Sequence, residues 1–183
     1  LDPIATSRIE ELIDELRQRY GVRVLHRRAE DVDGVARSVR LDDGSVLAYD
    51  KLILSPGIDI DHTALEGYDA EVAERIPHAW KAGAQTRLLR SQLEAMPDGG
   101  VFVLTAPGNP YRCPPGPYER VSQIAGYFQR HKPRSKILLL DAKDAFSKQA
   151  LFMDAWEALY PGMIEWVSRS NEGAIVRVDA GSR

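Results

Sequence analysis

From Val101 onward the apolar residues switch period at regular intervals. No other feature of the 183-residue chain constrains its fold as much. Residues 101–105 read as an apolar strand, and Tyr118, Val121, Ile124, Ala125 and Phe128 then recur at helical spacing. Ile137 to Leu140 predict a second strand, Leu151, Phe152, Ala155, Trp156 and Leu159 a second helix, and residues 163–167 a third strand. Strand, helix, strand, helix, strand requires parallel pairing through right-handed crossovers, which is an α/β sheet. A last strand is expected over 174–178. Lys132 and Arg134, flanking Pro133 in a helix-to-strand turn, read as solvated charge.

Upstream the pattern is more mixed. Residues 7–20 predict an amphipathic helix with Ile9, Leu12, Ile13, Leu16 and Tyr20 on one face, opened by a Ser7/Glu10 capping box and stopped by Gly21. Val22 to Leu25 read as a short strand. Val35, Arg37, Val39 and Leu41 alternate with polar neighbours, Asp43-Gly44 makes a tight turn, and a strand follows over 46–49. Residues 51–55 (KLILS) form a compact apolar strand ended by Pro56-Gly57. The stretch 58–77 shows neither period. A helix with Ala84, Leu88, Leu89, Leu93 and Met96 on one face ends at residues 97–100 (PDGG).

Composition removes several function classes. With 44% apolar and 28% charged residues the chain carries enough apolar surface to fold. No run approaches the roughly 20 apolar residues of a membrane span, so the segment is not expected to be integral to a bilayer. A net charge of −3 with interspersed signs argues against nucleic acid, which needs a basic stripe. His26, His62, His78 and His131 are scattered, which argues against a metal site. No basic-then-apolar signal segment follows Leu1. The single cysteine rules out an intrachain disulfide, so dithiol chemistry needs a sulfur from elsewhere.

That cysteine sits where an α/β sheet commonly binds a dinucleotide. Residues 101–141 have the size of a nucleotide-binding βαβ unit, with Asp141 at the end of its second strand. The intervening turn, however, contains Pro107, Pro110, Pro114, Pro115 and Pro117, which lack backbone N–H groups. A phosphate cradle depends on convergent N–H groups and close glycine approach, so the pyrophosphate site is expected to be absent and Asp141 to be a strand-end turn residue. The turn reads instead as a rigid platform for Cys113. Arg112 beside it, and a helix starting with Pro117 at its first position, would both favour a thiolate. Glu119 falls in the first helical turn, where an acid suits the macrodipole and can cap Gly116, and is close in sequence to any substrate at Cys113.

The run from Arg112 to Arg120 (RCPPGPYER), with residues 77–83 (PHAWKAG) and 146–149 (FSKQ), resembles the flavoprotein subunit of flavocytochrome c sulfide dehydrogenase. The resemblance implies an α/β fold with a Rossmann-like parallel sheet of the FAD/NAD(P)-binding type and a partial FAD-domain segment at the N-terminus. Residues 1–60 would be that segment, and 66–183 the NAD(P)-like domain carrying the redox cysteine loop. It further implies that Cys113 is one sulfur of a redox-active disulfide beside FAD and that Glu119 serves proton transfer. Ser55, Pro56 and Gly57 would approach the flavin. Trp80 would either approach it too or simply pack. Hydrogen sulfide is the implied substrate, a c-type cytochrome subunit the partner, and the periplasm the compartment, with no NAD as donor. The glycine fingerprint for FAD and a second cysteine do not occur in this sequence, so it is expected to be an internal segment, inactive alone. The alternatives are a sulfide:quinone oxidoreductase, another FAD-dependent disulfide oxidoreductase, or an interaction module using the PxxP pattern of Pro114–Pro117.

Overall fold

The computed structural model describes the backbone of residues 3–181 and the side chains of residues 10–181. The chain divides into two units, 1–59 and 60–183. The first contains helix α1 (Pro3–Tyr20) and strands β1 (Ala29–Asp33), β2 (Ser38–Leu41) and β3 (Val46–Ala48), paired antiparallel in the order β1-β2-β3. The helix starts four residues earlier than the capping box predicts, with Pro3 as its first residue, where a missing N–H costs nothing. Ser7 therefore lies inside the helix.

Three strand predictions in this unit change. Residues 22–25 are not a strand. Gly21, at φ 66°, donates to Arg17 O, and Val22 donates to Leu16 O at 3.3 Å, so the start of the expected strand is used in closing the helix. Val35 and Arg37 fall in the turn between β1 and β2. Asp33 Oδ1 accepts from the backbone of Val35 and Ala36, both at 2.8 Å, and this side-chain-driven turn removes them from the ladder. Residues 51–55 form no strand and are unpaired among the described residues, and Ile53 is 90% exposed. An apolar run becomes a strand only where another edge offers matching backbone groups. The Asp43-Gly44 turn forms as expected, closed by Gly44 N donating to Leu41 O.

In the second unit two short 3₁₀ turns, His62–Ala64 and Val72–Glu74, lead to α2 (Ala84–Ala95). The alternation then follows as strand β4 (Val101–Ala106), helix α3 (Gly116–His131), strand β5 (Lys136–Asp141), helix α4 (Gln149–Leu159) and strand β6 (Ile164–Val167). The three strands pair parallel in the order β4-β5-β6, a Rossmann-like α/β arrangement. All five predicted apolar residues of α3 are buried, with Ile137, Leu139 and Trp156 completing the core. Each such side chain contributes about 1.5–3 kcal/mol on burial. Arg130 and His131 in the last turn of α3 complement its dipole.

Two predictions in this unit also change. The expected strand over 174–178 is reduced to one bridge between Arg177 and Glu66. Gly173 N donates to Ser168 O at 2.8 Å, and a side chain there would meet Val167 O, so the chain folds back at the end of β6 instead of extending. Lys132 is not solvated. Its Nζ donates to the carbonyls of Glu94 and Met96, satisfying acceptors that the end of α2 leaves open. Arg134 is exposed and pairs with Asp98 at 2.8 Å.

Candidate functional site

The turn between β4 and α3 carries Cys113 at the carboxyl end of the parallel sheet, where open α/β sheets place their ligand sites. Pro115 is the N-cap of α3 and adopts helical backbone angles; Pro117 is the second helical residue, one position later than predicted. The amide hydrogens at this end of the helix are already used. Gly116 N donates to Cys113 O at 2.9 Å, and Tyr118 N and Glu119 N both donate to Pro115 O, while Pro117 has none to give. The first turn of α3 therefore has none of these N–H groups left for a phosphate. The polyproline reading fails on the same geometry, because Pro115 is helical and Pro117 is fully buried, so the segment is not an exposed extended ligand.

Cys113 is exposed and adopts a left-handed backbone, φ 59°, which costs a non-glycine residue energy unless its surroundings hold it there. Three contacts do so. Its carbonyl accepts from Gly116, the Tyr111 hydroxyl donates to Pro114 O at 2.7 Å, and the Trp80 indole lies against Gly116. A Cβ on Gly116 would stand 2.7 Å from Trp80 Cη2 and 3.5 Å from Cys113 Sγ. Only glycine admits the indole there. Trp80 also meets Tyr111 with ring centroids 6.5 Å apart. Glu119 is exposed in the first turn of α3, and its side chain does not cap the helix.

Asp141 is fully buried and is the hub beneath the turn. Its Oδ2 accepts from the Tyr118 hydroxyl at 2.7 Å and Trp166 Nε1 at 3.0 Å; its Oδ1 accepts from Lys143 N at 3.1 Å and Lys143 Nζ at 2.6 Å. Four bonds fill the acceptor capacity of a carboxylate, leaving nothing for a ribose hydroxyl. Lys143 also donates to Pro107 O at 2.7 Å and lies 5.0 Å from the Tyr111 ring centroid, so the hub anchors both ends of the loop's first half. Burial first, and then the bond to Asp141, push the Tyr118 hydroxyl pKa far above its ordinary value. Arg120, closing the motif, lines an apolar cleft with Leu89, Leu93, Phe102 and Leu104, and burial lowers its pKa.

Trp80 and Cys113 thus come together in one unit. Ser55, Pro56 and Gly57 lie in the other and are exposed. Gly57 has φ 84°, and a Cβ there would meet nothing within 4 Å, so a flat group has room to approach its backbone. Sequence reasoning missed two participants. Gly116 had no separate signal among the prolines, and Lys143 read only as a charge two residues past Asp141, the expected strand-end residue.

Residues 86–183 match the family model described as sulfide dehydrogenase (flavocytochrome c) flavoprotein chain, central. Among solved structures, a chain of the Tetrahymena thermophila mitochondrial ATP synthase F1Fo composite tetramer aligns with a TM-score of 0.42 and 16% identity. The alignment covers 78% of this chain and 37% of that one.

Proposed function

The chain belongs to the family of flavocytochrome c sulfide dehydrogenase flavoprotein chains, and we propose that it carries the sulfur-handling loop of a flavin-dependent sulfide dehydrogenase. The observation that carries this reading is Cys113 itself, exposed on a braced left-handed turn at the carboxyl end of the parallel sheet, within the matched region. The N–H groups of Gly116, Tyr118 and Glu119 at the start of α3 are used within the turn, which supports sulfide rather than a pyridine nucleotide as electron donor.

In the assembled flavoprotein Cys113 forms a disulfide with a second cysteine that this sequence does not contain. Hydrosulfide attacks one of the two sulfurs. A new S–S bond forms to the attacked sulfur, the old S–S bond breaks, and its electron pair leaves on the other sulfur as thiolate. The attacked cysteine then carries a persulfide, whose terminal proton Glu119 accepts. Residues 55–57 and, separately, Trp80 are each proposed as contacts of the FAD, which would supply the two-electron acceptor for the thiolate when bound. Residues 1–60 belong in this reading to the FAD-binding domain and 66–183 to the NAD(P)-like domain. A c-type cytochrome subunit in the periplasm is the final acceptor.

The test is sulfide-dependent bleaching of the flavin in the full flavoprotein, comparing wild type with Cys113→Ser and Glu119→Gln. Cys113→Ser should abolish rapid bleaching, and Glu119→Gln should slow it. Bleaching at an unchanged rate in Cys113→Ser would overturn the reading.

A further inference from the structure

We propose that Gly116 and Trp80 act as a pair to position Cys113, with the indole edge forming one wall of the sulfur and Gly116 supplying the gap that admits it. This rests on the reading of Cys113 as the reactive sulfur and adds two residues that set how it is reached. A Cβ on Gly116 lies close to both groups, so Trp80 Cη2 and Cys113 Sγ are separated by no more than the sum of their distances from that point. The indole is itself held from behind. Trp80 N donates to His78 Nδ1 at 2.9 Å, and the buried Ala79 before it, at φ 49°, donates to Gln85 Oε1 at 3.2 Å. Gln85, on α2, donates in turn to Ala73 O at 2.8 Å. The wall beside the sulfur is thus fastened to a helix outside the cysteine loop.

The geometry also gives the direction of the effect. At 2.7 Å a methyl group on Gly116 overlaps Trp80 Cη2, whereas at 3.5 Å from Cys113 Sγ it makes an ordinary contact. The indole must therefore recede and the sulfur need not. Gly116 is the first residue of α3 and does not have positive φ, so alanine is compatible with its backbone and the substitution acts through the indole.

The experiment is alkylation of Cys113 by iodoacetamide in the 183-residue chain, recorded as a full pH–rate profile, for wild type, Gly116→Ala, Trp80→Phe and the double variant. Gly116→Ala should raise the plateau rate several-fold in the wild-type background. In the Trp80→Phe background, whose smaller ring leaves the space over residue 116 empty, it should change nothing. Trp80→Phe retains an aromatic ring, and far-ultraviolet circular dichroism checks that each variant is folded. A plateau unchanged or lowered by Gly116→Ala, or raised equally in both backgrounds, would overturn the pairing. Alkylation requires neither flavin nor sulfide, so this outcome is independent of the bleaching test of Cys113.

Discussion

The Tyr118 hydroxyl donates to Asp141 Oδ2 at 2.7 Å where neither side chain is exposed to solvent. One partner is the third residue of the helix that follows the cysteine loop, and the other is the last residue of the neighbouring strand. Their bond ties the helix start to the carboxyl end of the sheet, and with it the loop that presents Cys113.

Removing members of this hub should cost stability in a graded way. Tyr118→Phe deletes one hydrogen bond to a charged group, for an expected loss of about 1.5–3 kcal/mol. Lys143→Met leaves the buried carboxylate without its cation, for an expected loss of about 3–5 kcal/mol. Urea denaturation of each variant against wild type measures both, and Lys143→Met should have the lower midpoint.

The same bond sets an alkaline limit. The folded-state pKa of Tyr118 lies above its unfolded value of 10.0, so its contribution is fully present below that pH and is lost as pH rises toward the folded value. Unfolding free energy measured through the alkaline range should fall in wild type. In Tyr118→Phe it should fall less steeply over the same window.

Phe146 should prove structural, although its segment helped to mark the family. Its ring stacks on Tyr118 with centroids 3.7 Å apart and meets Trp166 edge-on at 5.3 Å. Phe146→Ala should cost about 3–5 kcal/mol through the cavity left behind. Thermal melts of the 183-residue chain check this, and Phe146→Leu should recover part of the loss.

Gly67 should resist substitution even by alanine. It has φ 74°, and a Cβ there would lie 2.1 Å from Val178 O, against the segment that Glu66 bridges. Gly67→Ala should destabilise by about 1–3 kcal/mol from backbone strain alone, and more with the overlap. Loss of amide-exchange protection at Val178 N, which bonds to Glu66 O, would locate the damage.

Periodicity determined the second unit because its elements carry their own evidence. A parallel strand buried among helices reads as an apolar run, and a helix packed on it reads as a stripe, so β4, α3, β5, α4 and β6 were all legible. The proline content of the loop likewise limited the N–H groups it can offer before any geometry was known, since proline has no N–H in any fold. Tertiary structure decided what depends on a partner distant in sequence. Among the described residues, 51–55 have strand composition but no paired edge, 174–178 keep only the bridge to Glu66, and Lys132 gave up solvent for the end of α2, 36 residues away. The candidate site divides in the same way. Cys113 and Glu119 were visible in the motif, whereas the indole of Trp80 over Gly116, and the four bonds that commit Asp141, exist only because the fold brings residues 80, 116, 118, 141 and 166 into contact range.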